Sequence, residues 1–304
     1  PVGAATEGLA DVGLAPYGEL AEHGVVAVTQ GERPVKSPRL MRRVLEYASI
    51  FDLVVISSAV DPTFKGVCDE GYWSTRLGLP ASPATAELIA IERDLALAEL
   101  SGGRLHLTRV STAAGLEAIR RAKDKGVRVT CDTTAHHLHL TASALVSYDV
   151  NLNVWPPLRS EADREALRQG VRSGLIDAVT SDHQPWHLHD KTVEFAVATV
   201  GMMGLETLLS LMLRLVEQGV LSASDAIRAI STGPRQVLRS EHAGLEVGAA
   251  ADLTVIDPNR SWIADDRALH SKARNSPFVG EVFQGQAMMT MVDGRWVHRV
   301  TQED

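Results

Sequence analysis

The chain has 304 residues and a formal net charge of −8, from 30 Lys and Arg against 38 Asp and Glu. This length fits one barrel-sized unit or two smaller domains. With 45% hydrophobic and 22% charged residues the composition is that of an ordinary globular protein, and the negative charge disfavours nucleic-acid or anionic-membrane partners.

Short runs rich in β-branched residues predict the strands of a parallel sheet, because each run is apolar on both faces. They lie at 25–29, 53–57, 105–110, 127–132 and 176–181, with a sixth strand if one ends at Pro1. Helical patterns separate them at 39–50, 85–103, 112–126 and 160–174. This alternation predicts βαβ units and an α/β fold.

Two α/β architectures fit this order, an open doubly wound sheet and a closed (β/α)₈ barrel. No Gly-rich phosphate loop follows any strand, which weakens the nucleotide-binding alternative and favours the barrel. The tail differs, since 243–258 and 286–300 resemble antiparallel strands with a hairpin turn at Asp293-Gly294. We therefore predict a barrel over residues 1–240 and a small β domain with a closing segment over 241–304.

The most apolar window and the cysteines bear on location. Residues 201–219 include Glu206, Arg214 and Glu217, which predicts an amphipathic core helix rather than a membrane span. Its predicted core stripe is Leu205, Leu208, Leu209, Met212 and Leu213. Cys68 and Cys131 fit a reducing, cytoplasmic location without disulfides, and we expect both to be inert packing residues.

Reactive groups of a barrel lie at the carboxyl ends of its strands. Here those ends carry Thr29-Gln30, Ser57-Ser58, Arg109, Asp132 followed by His136 and His137, and Asp182-His183. A hydrolytic zinc site needs about three or four converging His, Asp, Glu or Cys ligands. Hydroxyl groups are poor zinc ligands, and a guanidinium brings a fixed positive charge. These residue types therefore do not predict a zinc site.

Several segments resemble, in order, those of the dihydroorotases of the cyclic amidohydrolase family, and the resemblance covers essentially all 304 residues. It implies an amidohydrolase-type (β/α)₈ TIM barrel with a small β-sandwich domain, and an origin in dihydroorotate hydrolysis during pyrimidine biosynthesis. It also implies that the first barrel units, with a His-x-His metal pair, belong upstream of Pro1, so that 1–240 holds about the last six βα units. The segments are EHGVVAVTQGERPV, NLNVWPPLRSEADREAL, DAVTSDHQPW and LHSKARNSPFVG.

The resemblance assigns a family role to several positions. A metal-bridging carboxylate is matched by Thr29-Gln30, and two histidine ligands are matched by Ser58 and Arg109. The family's catalytic aspartate is retained as Asp182, whereas its substrate-contacting histidine is matched by Trp186. Because three metal-ligand positions are replaced, we expect no bound metal and no other cofactor.

The loop histidines and the two charged residues each allow two interpretations. His183, His187 and His189 form either a relocated metal site or a polar loop that faces solvent, and the second is favoured because ligands from one loop seldom complete a metal shell. Asp182 is either a functional buried acid or a remnant bonded to loop backbone. Arg109 either binds an anion or neutralises Asp182, and the second is favoured. The solvent-facing interpretation extends to His136, His137 and His139.

The sequence thus predicts a non-catalytic dihydroorotase-like protein. Some bacterial members of that kind assemble with aspartate carbamoyltransferase, which implies a structural partner role in an oligomer. The alternative is an active zinc-dependent enzyme that hydrolyses dihydroorotate to carbamoyl aspartate, in which Asp182 transfers the proton. A third hypothesis is a small-molecule sensor in which Arg109 and Trp186 hold an anionic ring.

Overall fold

The computed structural model describes residues 1–240 and 245–300. Six parallel strands form its central sheet, with order β1-β2-β3-β6-β7-β8. A pair of two-residue strands, β4 and β5, lies in the connection after β3. The bounds are β1 (Val2–Ala4), β2 (Ala27–Thr29), β3 (Val54–Ser57), β4 (Cys68–Asp69), β5 (Ala81–Ser82), β6 (Arg104–Leu107), β7 (Val129–Thr134) and β8 (Ala178–Thr180).

Ten α-helices are described in residues 1–240 and 245–300, and α2, α4, α5 and α6 pack side by side in chain order. Their ends follow local chemistry, since Ser160 and Asp163 form a capping box at the start of α6. The bounds are α1 (Tyr17–Glu22), α2 (Pro38–Ile50), α3 (Tyr72–Leu77), α4 (Ala84–Ser101), α5 (Ala113–Asp124), α6 (Glu161–Ser173), α7 (Leu188–Lys191), α8 (Leu208–Glu217), α9 (Ala223–Ile230) and α10 (Thr232–Leu238).

The five predicted strands and the four predicted helices between them are confirmed. The sixth strand is also present, but it begins at Val2 rather than ending at Pro1. Pro1 joins the sheet only through its carbonyl, which accepts the backbone N–H of Val26 at 3.1 Å. Because the six strands are parallel, the polar residues that follow their carboxyl ends converge at one end of the sheet, which we call the barrel mouth.

A second, antiparallel sheet lies near the carboxyl end of the chain, with strand order β11-β10-β9. The bounds are β9 (Leu253–Ile263), β10 (Val282–Val292) and β11 (Arg295–Arg299). The predicted hairpin at Asp293-Gly294 is confirmed, with φ of 48° and 73°. The predicted domain boundary between residues 240 and 241 falls at residues 241–244, which lie outside the described residues. The predicted strand at 243–258 is wrong at its start, because residues 245–252 form turns and irregular backbone and β9 begins at Leu253. The boundary stays a prediction.

Helix α8 packs against the second sheet, and its Ser210 hydroxyl donates to the carbonyl of Gly285 in β10 at 2.7 Å. The core stripe predicted for this segment is wrong in part. Leu205 is exposed and precedes the helix, and the buried residues of α8 are Ser210, Leu211, Met212 and Leu215. In the described ranges, no helix is long and apolar enough to cross a membrane.

Candidate functional site

The barrel mouth holds a buried ion pair between Arg109, which follows β6, and Asp182, which follows β8. Arg109 Nη1 lies 3.4 Å from Asp182 Oδ1, and the two side chains are 6% and 10% exposed. Arg109 Nη2 donates to the Ser58 hydroxyl oxygen at 2.9 Å. The guanidinium thus bridges the exits of β3 and β8, and the neutralisation of Asp182 that the sequence predicted is present.

The backbone of Arg109 is fixed by a carboxylate beneath it. Arg109 has a left-handed φ of 61°, and its N–H donates to Asp132 Oδ1 at 2.7 Å. The second oxygen, Asp132 Oδ2, accepts the Thr108 hydroxyl at 2.8 Å and lies 2.9 Å from His106 Nε2. An unusual φ persists only where neighbouring contacts fix it, so this group of side chains orients Arg109.

Asp182 also has a strained backbone, with φ of 44°. Its Oδ1 receives Gln184 Nε2 at 3.1 Å in addition to Arg109. Its Oδ2 is buried and has no hydrogen-bond partner among the described residues. An acceptor of this kind costs free energy unless a donor reaches it, so Asp182 has capacity for one further donor.

At the other positions that match the family's metal ligands, the side chains form local hydrogen bonds. The Thr29 hydroxyl accepts the N–H of Gly31 at 3.1 Å. Gln30 is buried, accepts the Thr6 hydroxyl at 2.8 Å and donates to the carbonyl of Leu9 at 2.8 Å. Across residues 1–240 and 245–300, no three His, Cys, Asp or Glu side chains converge into a group that could hold a metal ion. The side chains at this site therefore do not fit a binuclear zinc centre.

His136 and His137 were predicted to face solvent, and this is wrong. Both are 2% exposed, because they begin a 3₁₀ turn, His136–Leu138, that packs against β7 and α6. Burial, with a smaller effect of the Arg109 charge, lowers the pKa of His136 to about 3. Burial also lowers the pKa of His137 well below its usual value. Neutral histidines of this kind are part of the core.

The histidines after β8 are divided between two environments. His183 is half-buried, and its Nδ1 accepts the N–H groups of Gly204 and Leu205 at 3.3 and 3.2 Å. His187 and His189 are exposed, and their rings stack with centroids 5.5 Å apart. His183 thus shapes the connection between β8 and α8, whereas the other two face solvent as expected.

Trp186 lies at the edge of the barrel mouth and not beside Arg109 in one cavity. Its Nε1 donates to the carbonyl of Val200 at 2.9 Å, which fixes the ring. The ring lines a cavity of about 690 Å³ whose lining does not include Arg109 or Asp182. The substrate-binding roles given to Arg109 and Trp186, and the catalytic role given to Asp182, stay predictions.

Sequence reasoning missed Glu87, which supports the loop behind Arg109. This glutamate of α4 is 1% exposed and accepts the N–H and hydroxyl groups of both Ser111 and Thr112. Arg159 is also buried and donates to the Ser111 hydroxyl at 3.1 Å. A glutamate in the first turn of a helix carries no local signal of burial, because such residues are common at exposed helix starts.

Comparison with known proteins identifies the family. Residues 80–297 match the model of the amidohydrolase family. A dihydroorotase of Syntrophotalea carbinolica is 44% identical over 303 residues, covering 99% of this chain and 71% of the relative. A dihydroorotase of Pelobacter propionicus is 46% identical over 301 residues, covering 98% of this chain and 71% of the relative.

Solved structures give the fold. The L-hydantoinase (dihydropyrimidinase) of Arthrobacter aurescens superimposes with a TM-score of 0.84 at 25% identity, covering 98% of this chain and 69% of that one. A D-hydantoinase superimposes with a TM-score of 0.80 at 23% identity, and this chain spans 65% of its length. The six parallel strands thus belong to an amidohydrolase-type (β/α)₈ barrel, which is accompanied by a small β domain. The chain belongs to the amidohydrolase family and, within it, to the dihydroorotases.

Proposed function

We propose that this chain is a non-catalytic dihydroorotase-like protein whose barrel serves as a structural partner of aspartate carbamoyltransferase in pyrimidine biosynthesis. The observation that carries the proposal is the guanidinium of Arg109 between Ser58 and Asp182. A fixed positive charge within 3.4 Å of the retained aspartate opposes a dication at the same place.

The other contacts at the barrel mouth support the same conclusion. Ser58 uses its hydroxyl as an acceptor for Arg109, and Gln30 uses both ends of its amide within the β1 and β2 connections. The polar atoms of each replacing residue thus find hydrogen-bond partners within the protein, as expected of a site adapted to stability. Hydrolysis of a cyclic amide needs an electrophile for the carbonyl and an activated water, and Ser58 and Gln30, whose polar atoms bond within the protein, supply neither.

An association role is supported by apolar side chains that reach solvent around the barrel mouth. Leu188 and Val197, in the connection after β8, are 83% and 72% exposed. Exposed apolar side chains in one connection can contribute to a protein interaction surface. We infer that this connection contributes to the partner interface, and that the protein forms an oligomer through it.

The proposal includes a cytoplasmic location for the protein. Cys68 and Cys131 are both free and buried, and burial raises the pKa of their thiols to about 11 and about 12. Thiols with such pKa values are unreactive near neutral pH. This supports the inference of a cytoplasmic protein of pyrimidine synthesis that needs no disulfide.

Two measurements test the catalytic part of the proposal. Metal analysis of the native protein should find less than about 0.1 zinc per chain, since a zinc site needs three or four ligands. Dihydroorotate turnover should be absent at every zinc concentration tested. Stoichiometric zinc together with turnover would establish the active hydrolase instead.

Co-purification tests the partner. The full-length protein and aspartate carbamoyltransferase of the same organism should elute as one complex in size-exclusion chromatography. The Leu188→Glu/Val197→Glu variant should dissociate it, whereas Leu100→Glu should not, because Leu100 is exposed at the end of α4, which leads into the opposite end of the barrel. A folded full-length chain that never associates with the enzyme would refute the partner role.

A further inference from the structure

A cavity of about 690 Å³ lies between the connection that follows β8 and the segment 271–275. Cavities of about 300 to 1,000 Å³ accommodate small organic ligands. Its walls include Trp186, His187, Lys191, Lys272, Arg274 and Asn275. The ion pair of the barrel mouth contributes nothing to these walls, so this is a separate place in the molecule.

The lysine and arginine side chains that line the cavity give it a positive charge. Lys191, Lys272 and Arg274 are its cations, and no carboxylate from the described ranges lines it. Lys191 is buried and donates to the carbonyls of Val150 and Thr199 at 3.2 and 2.6 Å. A concave surface with several cations and low-dielectric walls focuses a positive potential on its interior.

The two outer cations differ in how far they are engaged. Arg274 Nε lies 2.5 Å from Asp266 Oδ1, which holds the guanidinium in place. Lys272 is exposed and forms no ion pair within residues 1–240 and 245–300. Lys272 is therefore the cation that is free to meet an anion that enters the cavity.

The wall of the cavity that Trp186 forms is held in place by hydrogen bonds. The indole N–H of Trp186 donates to the carbonyl of Val200, which fixes the ring, and the backbone N–H of Trp186 donates to Asn275 Oδ1 at 3.0 Å. Asn275 is buried, and its Nδ2 donates to the carbonyl of Gln184 at 2.9 Å. Trp186 is 37% exposed and lines the cavity, so a ligand in the cavity can reach it. A fixed, open indole is a good platform for stacking a flat ring.

We propose that this cavity binds a flat organic anion, with its ring stacked on Trp186 and its carboxylate or phosphate held by Lys272 and Arg274. Charge-assisted hydrogen bonds hold the anionic group, and the ring gains from apolar contact with the indole. Leu188 lines this cavity and also belongs to the proposed partner interface, but the contacts with the ring and the anionic group use Trp186, Lys272 and Arg274, on which the partner role does not rest.

Titration calorimetry of the full chain tests the chemistry with two matched pairs of probes. Benzoate and uridine monophosphate carry a flat ring with a carboxylate or a phosphate, and benzamide and uridine carry similar rings without the charge. At least one charged probe should bind about tenfold more tightly than its uncharged partner. The affinity should fall as salt is raised. Whichever charged probe binds identifies the anionic group.

Two variants assign the site. Lys272→Gln should weaken binding of that probe about fivefold, and Trp186→Leu should weaken it about tenfold. Lys125→Gln, at an exposed lysine that follows α5 and is absent from the cavity lining, should leave the affinity unchanged. Lys272 makes no internal bond that folding requires, so this variant remains informative if Trp186→Leu does not fold. The proposal is overturned if neither charged probe binds, or if Lys272→Gln and Lys125→Gln bind equally well.

Discussion

Arg109 Nη1 lies 3.4 Å from Asp182 Oδ1, and both side chains are almost closed off from solvent. The two residues follow β6 and β8, and both have a positive φ. A buried carboxylate stays ionised only when an opposite charge or hydrogen-bond donors lie close to it. Here a side chain supplies the opposite charge, so we expect the stability of the barrel mouth to depend on this pair.

Removal of the arginine alone should therefore destabilise the protein. Arg109→Met leaves the buried Asp182 carboxylate without its cation and should lower the free energy of unfolding by about 3 kcal/mol. The double variant Arg109→Met/Asp182→Asn removes both charges and should recover more than half of that loss. Urea denaturation gives both values, and equal losses for the single and double variants would show that the two side chains are not coupled.

An exposed arginine provides the control. Arg120 is paired with Glu117 and Asp124 on the surface of α5, with about half of its side chain exposed. Surface pairs of this kind contribute roughly 0 to 1 kcal/mol. Arg120→Met should therefore change the urea midpoint far less than Arg109→Met does.

Glu87 should be essential for the loop that carries Arg109. Its carboxylate accepts hydrogen bonds from four donor groups, the N–H and hydroxyl groups of Ser111 and Thr112. Glu87→Gln places an amide donor against these donors and should cost about 2 to 3 kcal/mol in unfolding free energy. Glu92→Gln, which breaks an exposed pair with Arg121, should cost less than about 1 kcal/mol. Similar costs for the two variants would contradict the buried network.

The parts of the fold that sequence predicted are those that local patterns encode. The apolar runs gave the strands, and the cap at Ser160 gave the start of α6. The side chains that fix the site come from distant segments, so no local pattern reveals them. Asp132 orients Arg109 across 23 residues, and Glu87 meets Ser111 across 24. His136 was misjudged because a histidine after a strand has the same local pattern whether its loop folds inward or outward.

Metal removal should leave stability unchanged. The positions of the family's ligands are filled by Thr29, Gln30, Ser58 and Arg109, and the side chains of all four are engaged in hydrogen bonds within the protein. A metal that binds only the folded state raises its stability by mass action. Dialysis against a chelator should therefore shift the urea midpoint by no more than the error of the measurement. A clear loss of stability, restored by added zinc, would contradict the assignment of these residues.

Buried histidines should make the protein lose stability in mild acid. Burial lowers the pKa of His136 and His139 from 6.5 to about 3 each, with a smaller effect of nearby arginines on both. The unfolded chain therefore takes up protons below pH about 6.5 while the folded chain does not, so the free energy of unfolding falls as the pH falls. Each histidine should account for about 2 kcal/mol between pH 7 and 5.

Variants at one half-buried and one exposed histidine isolate this effect. His139 donates from Nε2 to the carbonyl of Leu211 at 3.0 Å, a bond that a glutamine amide can replace. His139→Gln should remove about 2 kcal/mol of the difference in unfolding free energy between pH 7 and 5. His189→Gln, at a side chain that is 83% exposed, should leave the difference as it is. If both variants follow the wild-type pH dependence, His139 takes up protons in the folded state and is not held neutral by burial.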